Sequence, residues 1–124
     1  MKRQSYLGKK CLVIGYGLSG RSMASFFMKN GAEVSVYDDR KITIEPQSLT
    51  HFDSLSKVME RTFDFFALSP GVSLSHPLVI YAKEQQIPFW GELDLGLKHL
   101  NGPCIGITGT NGKSTLTALL AHLL

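Results

Sequence analysis

The feature that narrows the fold most is one unit near the N-terminus: the apolar run CLVIG from Cys11, the turn GYGLSG from Gly15 to Gly20, a helical stretch, and AEVSVYDD from Ala32 to Asp39. A short apolar run that stops at glycines reads as a buried parallel strand followed by a tight turn. From Ser19 to Lys29, the residues Met23, Phe26, Phe27 and Asn30 recur at helical spacing on one face, and Asn30 with Gly31 supplies a stop. Val34 and Val36 then alternate with Glu33 and Ser35, so a second strand completes a strand–helix–strand unit of about thirty residues. Parallel strands need such a crossover, so the unit commits the chain to an α/β sheet.

The rest of the chain repeats the theme. Arg40 to Thr50 is polar and interrupted by Pro46, which reads as a connection, with a short strand over Leu49 to Phe52. Ser54 caps a predicted helix to Arg61 that buries Leu55, Val58 and Met59. Phe63 to Leu68 is an aromatic and apolar strand halted by Ser69, Pro70 and Gly71. A helix is predicted over Ser75 to Gln86, with Ser75 as cap, Pro77 in its first turn and Leu78, Tyr81, Ala82 and Gln85 on one face. Ile87 to Trp90 and Glu92 to Leu100 form a further strand and helix, the latter with Leu93, Leu97 and Leu100 on its stripe. Asn101, Gly102 and Pro103 break the pattern. Beyond them Cys104 to Thr108 starts a new strand, and Lys113 to Leu124 is an apolar helix with Leu116, Leu119, Leu120 and Leu123 spaced for burial. The expected architecture is a doubly wound parallel sheet over residues 1–100, followed over 101–124 by the first strand, phosphate loop and helix of a second domain.

Composition excludes several classes. The net charge of +3 is carried by scattered basic residues, which argues against a nucleic-acid surface. No apolar stretch resembles a signal peptide or a membrane span. Cys11 and Cys104 each sit in a strand-like run without CxxC spacing, as expected of buried reduced thiols in a cytoplasmic protein. His51, His76, His99 and His122 lack metal-ligand spacing and are expected at the surface or at helix ends.

Two phosphate-binding patterns stand out. In GYGLSG, Gly15 allows the turn, Gly17 lets backbone approach a diphosphate, and Gly20 lets the helix pack closely on the strand. Leu18 and Ser19 would present N–H groups at the positive end of that helix. Asp38, at the end of the second strand, is placed to meet a ribose hydroxyl or a base N–H, and Arg40 can lay its guanidinium on a base; a solvated strand end is the alternative for both. SPGVS, from Ser69 to Ser73, falls on the same sheet edge or is a simple turn. The second pattern, TGTNGKST, departs from strict GxxxxGK[ST] because Ile107 stands where a glycine would, but keeps Gly109, Thr110, Asn111, Gly112, Lys113, Ser114 and Thr115 at a strand-to-helix junction. Such a loop can cradle ATP phosphates, with Lys113 adding charge and Ser114 or Thr115 holding Mg²⁺.

Taken together, GKKCLVIGYGLSG, VYDDR, LSPGVSLSHP and GITGTNGKST resemble, in order and spacing, the Mur ligases of peptidoglycan synthesis, and among them the D-glutamate-adding branch. TGTNGKST is shared with the wider family that includes folylpolyglutamate synthases. The resemblance implies a three-domain bacterial cytoplasmic enzyme, monomeric at full length, of which this chain is the Rossmann-like UDP-binding domain plus the opening of the ATPase domain. It implies that UDP-N-acetylmuramoyl-L-alanine is the ligand, with Leu18 and Ser19 at the diphosphate, Asp38 at the uracil, Arg40 stacked on the base and Gly71 against the ligand. Where the family commonly has Thr, this sequence has Asp39, which adds a negative charge. The implied reaction uses MgATP to phosphorylate the substrate carboxylate before the amine of D-glutamate attacks, with Lys113 as the catalytic residue and Ser114 on the metal. The remaining metal ligands, a carbamylated lysine and the D-glutamate site would lie beyond Leu124, so the chain alone is expected to be inactive, and its apolar C-terminus to fold back, self-associate or lack order. Two other readings stay open: a NAD- or FAD-binding oxidoreductase domain, and a non-catalytic nucleotide-binding module.

Overall fold

A computed structural model of the chain describes residues 6–41 and 49–98. Among these residues lie five strands, β1 (Lys10–Ile14), β2 (Glu33–Tyr37), β3 (Thr50–Phe52), β4 (Phe65–Leu68) and β5 (Phe89–Gly91), and four helices, α1 (Leu18–Lys29), α2 (Leu55–Met59), α3 (Pro77–Glu84) and α4 (Glu92–Lys98), in the order β1-α1-β2-β3-α2-β4-α3-β5-α4. Every strand pair is parallel, and the order is β3-β2-β1-β4-β5. The expected parallel α/β sheet is therefore present. The expected second-domain strand, phosphate loop and helix, and the boundary at 101–103, lie outside the described residues.

The strands are buried because helices cover both faces of the sheet. Cys11 and Val13 point into a cluster with Met23, Ala24 and Phe27 of α1 and Leu95 of α4. Leu12 and Ile14 point the other way, onto Val58 of α2 and Leu78, Val79 and Ala82 of α3. A strand covered on both sides needs no polar face. Hence Ser35, expected to alternate with the valines as a polar position, is 8% exposed. Burial also pushes the Cys11 thiol far above its usual range, consistent with a reduced core residue.

Several helix faces differ from expectation at their margins. The buried stripe of α1 is Gly20, Met23, Ala24 and Phe27, while Phe26 is partly exposed and meets the Tyr6 ring edge-on at 6.0 Å. Asn30 is the C-cap residue rather than part of the face, and its side-chain amide donates to the Phe26 carbonyl at 2.7 Å. Ser54 caps α2 as expected, but that helix ends at Met59, too early for Met59 to turn inward, and it is 40% exposed. In α4 the buried leucine is Leu95 and Leu93 is exposed; the Leu97 side chain and Leu100 lie outside the described residues.

Helix α3 is shorter at both ends than Ser75 to Gln86. Pro77 occupies its first turn and holds His76 extended, at ψ 139°, so the cap falls on His76 instead of Ser75. At the other end Gln86 adopts φ 58°, and the N–H groups of Gln86 and Ile87 donate to the carbonyls of Lys83 and Ala82 at 3.3 and 2.8 Å. That pair of bonds closes a helix in the manner usually assigned to glycine.

Candidate functional site

In the register of the sheet, Ile14 of β1 stands opposite both Tyr37 of β2 and Leu68 of β4. The three strands thus end level, and the segments that follow, GYGLSG, DDR and SPGVS, emerge together. The chain leaves β1 towards β2 on one side and returns through β4 on the other, so a crevice opens between their carboxyl ends. A cavity of about 830 Å³ occupies it, lined by Gly17, Leu18, Arg40, Gly71 and His76 among others. That volume lies within the roughly 300–1,000 Å³ usual for small-molecule sites.

The glycine loop forms the floor. Gly15 has φ +86°, a conformation that side chains resist, and its N–H donates to the Tyr37 carbonyl at 2.8 Å. A Cβ on Gly20 would run into the Gly15 carbonyl, so this position keeps α1 close to the turn, as expected. The Ser69 hydroxyl donates to that same carbonyl, tying the SPG segment to the glycine loop. Gly17 is the N-cap of α1 and contributes no side-chain hydrogen bond, which leaves the positive end of a twelve-residue helix facing the cavity. Leu18 and Ser19 line it at that end, and Leu18 is 86% exposed.

Asp38 is the electrostatic centre. Its Oδ2 accepts the Tyr16 N–H at 2.7 Å and Arg40 Nη2 at 3.1 Å, and its Oδ1 accepts the Arg40 backbone N–H at 2.8 Å and Nε at 3.2 Å. A carboxylate has about four acceptor directions, and the chain fills them all. The Asp38 side chain is only 4% exposed. Burial alone would raise its pKa, but the Arg40 side-chain and backbone bonds, the Tyr16 bond and the guanidinium charge outweigh it and hold the group down at about 2. The Arg40 side chain remains 70% exposed, with Nη2 3.8 Å from where a Gly17 Cβ would be. The end of the guanidinium therefore lies beside the glycine loop at Gly17.

Gly71 has no neighbour within 4 Å of a notional Cβ and opens directly onto the cavity. Of the residues expected to form the nucleotide site, Gly15, Gly17, Leu18, Ser19, Asp38, Arg40 and Gly71 line this one cavity, while Gly20 supports it from behind. The expected ATP-site residues, Gly109 to Thr115 with Lys113 and Ser114, lie outside the described residues. Sequence reasoning missed Ser69 as the link between the two loops. His76 lies at a helix end as expected, but sequence reasoning missed that its side chain is only 9% exposed and lies against Asp39. The dipeptide His76-Pro77 ahead of a helical run was the available signal for a cap.

Comparison with known families settles the lineage. Residues 9–91 match the model of the Mur ligase MurD-like N-terminal domain, a stretch that begins one residue before β1 and ends on the last residue of β5. The chain belongs to the MurD-like family of Mur ligases. A relative from Protochlamydia amoebophila, named UDP-N-acetylmuramoylalanine–D-glutamate ligase, is 37% identical over all of this chain and 30% of its own length. Proteins of the same name from Leptospira borgpetersenii and Pectobacterium atrosepticum are 39% and 35% identical, over 98% and 95% of this chain and 26% and 28% of their own lengths. The MurD-like chain thus spans under a third of the curated relatives it matches. Their names do not favour the oxidoreductase reading of the glycine loop. Among the described residues no helix is long and apolar enough to cross a membrane.

Proposed function

We propose that this chain is the UDP-substrate-binding portion of a cytoplasmic bacterial ligase that uses ATP to join D-glutamate to UDP-N-acetylmuramoyl-L-alanine in peptidoglycan synthesis. The observation that carries the proposal is the convergence on one cavity of the open N-terminus of α1, the Arg40 guanidinium and the unobstructed Gly71 backbone. These are the groups that a diphosphate and a planar base require. The diphosphate lies over Gly17 against the N–H groups of Leu18 and Ser19. Arg40 stacks on the uracil, and Gly71 closes the other side. Because the chain already fills the acceptor directions of Asp38, its contact with a uracil N–H comes in exchange for an Arg40 bond, as the guanidinium turns onto the base. The relatives' shared name supports the choice of substrate, since it states the muramoyl-alanine and D-glutamate those proteins join.

The ATP and Mg²⁺ part of the proposal rests on sequence alone. Gly109 to Thr115 would hold the phosphates, Lys113 would face the transferring group, and Ser114 would ligate the metal. The domain limits of 1–100 and 101–124 are proposed on the same basis, from the Asn101 to Pro103 break.

The test is a titration of the chain with UDP-N-acetylmuramoyl-L-alanine, followed by calorimetry and by backbone amide shifts, with NAD as the competing ligand. Saturable shifts at Leu18, Ser19, Asp38 and Gly71, and weaker binding of NAD, are expected. The absence of any response at about millimolar ligand, near the weak limit of specific binding, would sink the proposal.

A further inference from the structure

We infer that Asp39 and His76 form a tie across the mouth of the cavity, and that these are positioning residues that set the width and charge of the nucleotide site; the inference rests on the nucleotide reading above. Asp39 follows β2 and His76 opens α3, which follows β4, and β1 lies between those strands. A bond between the two residues therefore joins the two halves of the sheet just where they diverge to form the crevice.

The hydrogen-bond pattern defines the state of the tie. His76 Nδ1 accepts the Leu78 N–H at 3.1 Å, which caps α3. A ring nitrogen that accepts carries no proton, so in this arrangement the proton sits on Nε2. Nε2 in turn donates to Asp39, 2.9 Å from Oδ2 and 3.1 Å from Oδ1. The Tyr37 hydroxyl donates to Oδ1 at 3.0 Å, and the Tyr37 ring meets the imidazole edge-on at 6.1 Å. Both imidazole nitrogens are thus committed to the chain, and the ring is pinned by a helix end, a strand end and an aromatic edge.

As a device for stability this pairing is weak, because the Asp39 side chain is 64% exposed and water screens its charge. Its position suits a different role. Asp39 and His76 both line the cavity, as do Gly17 and Leu18 at the positive end of α1. A carboxylate free to swing there would repel an incoming diphosphate or occupy its N–H donors itself. The His76 bond turns the carboxylate aside to α3. The same bond anchors the segment that carries Asp38 and Arg40 to the opposite wall.

The experiment measures UDP affinity of the 124-residue chain by calorimetry for the wild type, Asp39→Ala, His76→Asn, the double variant and Asp39→Asn. Asparagine at 76 can still cap α3 through its side-chain oxygen but is too short to reach Asp39. Asparagine at 39 keeps an oxygen that can accept from both His76 and Tyr37. Asp39→Ala and His76→Asn are each expected to weaken UDP binding about five- to tenfold, with the double variant no weaker than the poorer single, as coupled partners behave. Asp39→Asn should bind within about twofold of wild type; this rescue separates the tie from general destabilisation. Nitrogen-15 spectra of the wild-type imidazole should show a protonated Nε2 and a bare Nδ1. Wild-type affinity in both single variants, losses that multiply in the double, or a proton on Nδ1 would overturn the tie alone. A folded wild type that does not bind UDP would overturn the nucleotide reading and the tie with it.

Discussion

Replacing Asp38 with asparagine isolates the charge at the centre of the site. The native carboxylate is held at about pKa 2 against an ordinary value of 3.8. At about 1.36 kcal/mol per pH unit, that depression corresponds to about 2 kcal/mol of folding stability at neutral pH. The Asp38 side chain is almost fully buried, but the Arg40 side chain that holds it is 70% exposed, so solvent screening makes this figure an upper bound. The amide of the Asp38→Asn variant has the same shape as the carboxylate but turns one acceptor into a donor. In either orientation it therefore faces the Arg40 guanidinium with the wrong polarity, together with the Tyr16 N–H in one and the Arg40 backbone N–H in the other. A buried donor left without a partner costs about 1–3 kcal/mol, the same size as the electrostatic figure. The sign follows from the direction of the shift: a depressed carboxylate stabilises above its unfolded pKa, and the contribution is lost as pH falls through the folded value. Urea unfolding of wild type and Asp38→Asn across pH 7 to 2.5 should show a gap of about 2 kcal/mol at neutrality that shrinks by about half or more at pH 2.5. Comparing the two proteins at each pH cancels the titration of the other carboxylates. A gap that stays constant with pH, or none at pH 7, would refute the assignment of Asp38 as a charge held by Arg40 and Tyr16.

Two glycines test the architecture of the loops. Gly20→Ala gains helix propensity but drives a methyl into the Gly15 carbonyl, so it should lower stability by about 1–3 kcal/mol in thermal or urea unfolding; a variant as stable as wild type would show that the loop and helix are not in close contact. Gly71→Ala meets no neighbour and should change stability by less than about 0.5 kcal/mol while weakening UDP in calorimetry, and unchanged affinity would remove Gly71 from the ligand contacts.

What could be read in the sequence and what could not divides along contact range. The glycine loop, the crossover helix and the apolar strands announce themselves because their signals are local: period, turn residues and a fixed distance from Gly17 to Asp38. Ser35 escaped because burial of a strand's second face depends on α2 and α3 arriving from further along the chain. The end of α3 escaped because a left-handed Gln86 carries no mark of the kind that glycine gives. In the site itself, Asp38 was legible as a carboxylate at a strand end, but its bond to Tyr16 spans 22 residues. Asp39 and His76 are 37 apart, and the Ser69 hydroxyl and the Gly15 carbonyl 54 apart. Each of these pairs exists only because parallel strands ending level bring separate loops to one sheet edge. The sequence motif therefore names the residues that can touch a ligand, whereas the topology decides which of them are already holding one another. That second fact governs the chemistry. Arg40 comes to the site already bonded to Asp38, so its substitution should do two things at once, removing a cation from the cavity and leaving a buried carboxylate with one hydrogen bond from Tyr16 and one from the backbone at position 40.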